Sequence, residues 1–91
     1  MCEKYAVIKL DMGSLEQKIL YCSFSRSNAL VFMNEQAESE IQEDPHWYKK
    51  ETTTSGDIIT IYLLHYFIKK TPICKYSILK FEDTFYGEEE L

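Results

Sequence analysis

The sequence predicts an α+β domain: a five-stranded antiparallel sheet with one amphipathic helix on one face, in the order β-β-α-β-β-β. Two patterns lead there. Residues 5–11, 18–24 and 73–81 alternate with the period of two of a half-buried strand, whereas residues 30–41 repeat at the 3.6-residue spacing of a helix. Breakers at Gly13, Pro45, Gly56 and Pro72 fall between the periodic runs. One helix laid on one face of a twisted sheet is the economical way to bury both.

The first strand sets Ala6, Ile8 and Leu10 against Tyr5, Val7 and Lys9. Asp11-Met12-Gly13-Ser14 reads as a turn, with Gly13 free to take positive φ. The second strand sets Leu20, Cys22 and Phe24 against Ile19, Tyr21 and Ser23, and the two strands form a hairpin. Ser25-Arg26-Ser27-Asn28 offers side-chain oxygens to the free N–H groups of the helix that follows. Leu30, Met33, Ala37 and Ile41, with Phe32 beside them, mark its buried face over about three to four turns. Asn34, Glu35, Glu38 and Glu40 mark the outer face, and Asp44-Pro45 ends the helix. Acids at a helix C-terminus oppose the dipole, so a cation or a basic partner is expected there.

Residues 47–54 are polar but rich in β-formers, which predicts an exposed or edge strand. Ser55-Gly56-Asp57 turns the chain, and the β-branched and aromatic residues of 58–67 predict a long central strand. Ile61, Leu64, His65 and Ile68 also fit helical spacing, which leaves a helix over 61–70 as the alternative. Lys69-Lys70-Thr71-Pro72 is expected to break the chain before the last strand. There Ile73, Lys75, Ser77, Leu79 and Phe81 oppose Cys74, Tyr76, Ile78 and Lys80, and strands three to five form a meander. The domain is expected to span 1–84, with 85–91 a flexible acidic tail.

A chain of 91 residues holds one core. A domain of that size buries only about 60–65% of the surface its unfolded chain exposes, so its stability is expected to be modest. Aromatic residues reach 14% against three Gly and two Pro, which argues against disorder. The net charge of −5 repels phosphate and disfavours general nucleic-acid binding. The charge is uneven, however. Residues 47–81 carry six lysines against Glu51 and Asp57, between an acidic first half and an acidic end. Three scattered cysteines give no disulfide framework, and a reducing cytoplasmic compartment is the default. The N-terminus lacks the apolar run of a signal peptide, and the apolar stretch 58–68 is too short to span a membrane.

The segments Tyr5-Ala6-Val7-Ile8-Lys9 and Ile19-Leu20-Tyr21-Cys22-Ser23, with the closing pair 59–63 and 75–80, resemble a loose class of small, uncharacterised proteins encoded by large DNA viruses. The likeness spans most of the chain and brings no catalytic motif. It implies a virus-encoded accessory or virion protein acting inside a host cell.

Few residues suggest chemistry. Cys2, Cys22, Cys74, His46 and His65 lack the paired spacing of a zinc site, so no metal or cofactor is expected. Cys22 and Cys74 read instead as small core hydrophobes. Cys74 with His65 is the one imaginable nucleophile–base pair, but no helix N-terminus or Gly-rich loop comes with it. Asp11, Glu16 and Lys18 superficially match the Asp…Glu-x-Lys pattern of metal-dependent nucleases, and a solvated turn is the preferred reading. Trp47, Tyr48, Lys49 and Lys50, with Lys69 and Lys70 from the basic middle, form the candidate binding region, because aromatics beside lysines serve both protein hot spots and base stacking. The plainer alternative packs Trp47 under the helix end and leaves the lysines guarding a strand edge. The acidic helix face and Glu88-Glu89-Glu90 read as solvated charge, far too sparse to mimic a nucleic acid. The expected function is a small non-enzymatic interaction protein. It would bind a protein partner, or pair with a copy of itself as a homodimer, through a strand edge or the Trp47–Lys50 region. Nucleic-acid binding by that region is the alternative, and a small hydrolase the third reading.

Overall fold

A computed structural model describes residues 2–65 and 69–83, with side chains for 3–64 and 69–81. Its elements follow the expected order: β1 (Cys2–Asp11), β2 (Gln17–Ser23), α1 (Arg26–Gln42), β3 (Tyr48–Thr52), β4 (Ile58–His65) and β5 (Lys69–Asp83). The five strands form one antiparallel sheet in the order β2-β1-β5-β4-β3. The hairpin and the meander are thus joined by the long pairing of β1 with β5, from Cys2 opposite Asp83 to Asp11 opposite Cys74. The expected tail lies outside the described residues.

The helical alternative for 61–70 does not form in the described residues. Ile59 and Ile61 alternate into the core, and the β4 backbone pairs on both sides. The break expected at Lys69–Pro72 is corrected, because those residues open β5. Pro72 is accommodated by a bulge: Ile61 faces Cys74, the next pair is Tyr62 with Pro72, and Ile73 is the extra residue.

A second bulge corrects the face assignment in β2. Val7 faces Tyr21 but Ile8 faces Ile19, so Leu20 is extra and Ile19 and Tyr21 point to opposite sides. Both extra residues, Leu20 and Ile73, still pack against the core. In the hairpin turn, Leu15 and not Gly13 takes positive φ, at 63°. Asp11 Oδ1 accepts from the Gly13 and Ser14 amides at 2.8 and 3.0 Å, and the Leu15 N–H reaches the Asp11 carbonyl at 2.7 Å. That bonding wraps the chain so that the left-handed residue falls at Leu15.

The helix runs 17 residues, longer than expected. Ser25 caps it, its Oγ accepting from the Asn28 amide at 3.2 Å. Ala29, Met33 and Ala37 are fully buried and meet Val7, Ile59, Ile61, Cys74 and Tyr76. Tyr21 stacks on Phe32 with ring centroids 4.5 Å apart. The main core is therefore the layer between α1 and one face of the sheet, and Ala6 is buried on the other.

Candidate interaction surface

The period of two splits the expected binding region. Tyr48 and Lys50 point to the helix side: Tyr48 packs on the core and Lys50 pairs with Glu38. Lys49 points to the other side, opposite Tyr62. Lys70 joins it there, its Nζ 4.6 Å from the Tyr62 ring centroid and ion-paired with Glu51, which raises its pKa. Lys69 is exposed opposite His65. Trp47 is half-buried in the α1–β3 connection, edge-on to His46 with centroids 4.7 Å apart. Its N–H donates to the Asp44 carbonyl and its carbonyl accepts from Leu64. The six residues do not form one patch.

The cations expected near the helix C-terminus come from the sheet. Lys50 meets Glu38, and Lys9 meets Glu40 at 3.1 Å. Glu40 was expected to face outward; instead it turns to the sheet, because the same Oε1 accepts from the Tyr76 hydroxyl at 3.1 Å. Burial works against the Lys9 ammonium, but the Glu40 hydrogen bond and charge more than offset it, so its pKa lies above the ordinary lysine value. Cys74 is buried beside this cluster. Burial, and then the Glu40 charge, push its thiol up to about 11, so it presents no thiolate at neutral pH. The side chain of His65, its imagined partner, lies outside the described residues.

Cys22 is a correction. It is exposed, because it lies on the edge strand β2 and on the face away from the helix, opposite Ala6. Among the described residues no element covers that face. Its register places Ala6, Ile8 and Leu10 of β1 beside Leu79, Ser77 and Lys75 of β5, with Ile58, Thr60 and Tyr62 of β4 beyond. Ile19 is 67% exposed there and Leu79 54%. Phe81 stands opposite Lys4, whose Nζ lies 5.3 Å from the Phe24 ring centroid. Among the residues with described side chains, the charges of this face are Lys4, Lys49, Lys70 and Lys75 against Glu51. The helix side carries exposed Glu35, Glu38 and Glu43 against Arg26, with Glu38 paired to Lys50. The molecule is bipolar, acidic over the helix and basic over the open sheet.

Sequence reasoning passed over this face, although its signal was present. Both sides of β1 and β5 carry apolar residues, and a single helix covers only one of them.

The Asp11–Glu16–Lys18 constellation resolves as a turn. With Lys9 these residues line a cavity of about 90 Å³. The Ser14 and Gly13 amides occupy Asp11 and hold its carboxyl below the usual carboxylate range, and Lys9 is taken by Glu40. Among the described residues no group of three or more His, Cys, Asp and Glu is placed to hold a metal ion. No helix there is long and apolar enough to cross a membrane. Comparison with known protein families, curated proteins and solved structures finds no match to the chain.

Proposed function

We propose that this chain is a non-enzymatic protein-interaction module whose binding surface is the open face of the sheet. The observation that carries the reading is the exposure of Ile19 and Leu79 beside half-buried Ile8 and Leu10 on the β2-β1-β5 part of that face. Completing the burial of such side chains contributes on the order of 1–2 kcal/mol each, which is binding energy left for a partner. The strand edges offer less. β3 is five residues long and carries Lys49 and Lys50, and β2 is bulged at Leu20, both features that block edge pairing. Edge-to-edge homodimerisation is therefore the weaker form of the reading. The proposal extends to an accessory protein working in a cytoplasmic compartment, virus-encoded as the resemblance implies.

A second reading has one observation in its favour. Lys4 with Phe24, and Lys70 with Tyr62, bring cation and ring together on the same open face, as single-strand-binding sheets do. Affinity capture from host lysate separates the two, with and without nuclease, using the wild type and the Ile19→Lys/Leu79→Lys variant. A protein partner that survives nuclease and is lost with the variant is the expected result. Capture unchanged by the variant contradicts the assignment of the face, and capture abolished by nuclease moves nucleic acid to first place.

A further inference from the structure

We propose that the open face takes an acidic amphipathic segment of a different protein, with apolar side chains across Ile8, Ile19 and Leu79 and a carboxylate on the Lys75 ammonium. This rests on the reading of the face as a partner surface. Lys75 is its half-buried centre, between Leu10 on β1 and Thr60 on β4. Lys9, Lys50 and Lys70 each have a carboxylate within the chain. Lys75 has no hydrogen bond or ion pair with any described residue. A partner that covers the surrounding apolar row strips water from this ammonium, and an uncompensated buried charge is costly. A carboxylate brought by the partner removes that cost.

Charge complementarity argues against two copies pairing through this same face. A second copy offering the same face sets lysines against lysines, and like-charge juxtaposition opposes docking. Lys75 is flanked by the aliphatic Ile8, Leu10 and Ile58, with Tyr62 two residues beyond its partner Thr60, a row richer in aliphatic side chains than in the planes that base stacking uses. The basic face of a chain with net charge −5 selects an acidic protein segment.

The test is a selection from a library of random displayed peptides on the immobilised full chain. Affinities of the enriched peptides are then measured by calorimetry against the wild type, K75E, K75Q, L79K and I19K, with circular dichroism confirming each fold. The expected sequences carry Asp or Glu among Leu, Ile or Phe. K75E weakens them by about tenfold or more, K75Q by less, and added salt weakens them further. Neutral or basic peptides, or acidic ones that bind K75E as well as wild type, overturn the acidic partner. If L79K and I19K still remove such binding, the face remains an interaction surface. Peptides indifferent to both variants overturn that reading too. Two other results overturn the proposal: tighter binding of a uridine-rich single-stranded RNA that depends on Lys75, and a dimer in sedimentation that Leu79→Lys dissolves.

Discussion

Leu15 is the only non-glycine among the described residues with φ in the left-handed region, and it is 68% exposed. That conformation costs a residue with a Cβ about 1–2 kcal/mol, while glycine gives back roughly 0.5–1 kcal/mol in chain entropy. Leu15→Gly should therefore stabilise the protein by about 0.5–1 kcal/mol, read from the denaturant midpoint. Glu40 is the opposite case, since it satisfies both Lys9 and Tyr76 under the helix. Glu40→Ala should cost about 2 kcal/mol, and Glu40→Gln less, because the amide oxygen still accepts from Tyr76. The cysteines should separate by environment. At pH 8 a thiol reagent should modify exposed Cys22 in the native protein and reach Cys74 only on unfolding, as mass-spectrometric mapping would show. The shifts of Lys9 and Asp11 have opposite pH signs. Lys9 is raised, so its contribution is full below about pH 10.4 and is lost as pH rises through the folded value. Asp11 is lowered, so its contribution is present above about pH 3.9 and is lost as pH falls through the folded value. Asp11→Asn should flatten the acid limb of the stability curve.

Among the elements, β1, β5 and β4 occupy the interior of the sheet, and β2 and β3 its edges. Amide exchange should be slowest at Val7 and Tyr76, where both neighbours are paired, and faster in β3. Ser25→Ala should cost about 1 kcal/mol by uncapping α1. The order of elements was legible because alternation and helical spacing are direct consequences of burial on one side. The irregularities were not. Leu20 and Ile73 sit in runs whose alternation looks unbroken, and a bulge depends on what the neighbouring strand presents. Glu40 looked like an outer-face acid because its reason for turning inward, Lys9, lies 31 residues away in β1. The Trp47–Lys50 cluster is divided between faces for a simpler reason: consecutive strand residues point to opposite sides.

The whole molecule is a half-sandwich, with a core under the helix and a sheet face that no described element covers. Its polarity follows the same division, acidic over α1 and basic over the open sheet. Several exposed apolar residues serve as internal references for where a partner sits, because Ile19, Leu79 and Phe81 belong to the open face whereas Val31 projects from α1 and Leu15 from the hairpin tip. Hydroxyl-radical footprinting of the chain, free and bound to the partner it captures, reads all of them at once. Protection is expected at Ile19, Leu79 and Phe81, with Val31 and Leu15 unchanged. Protection of Val31 or Leu15 with Leu79 left open would contradict the open face as the binding surface.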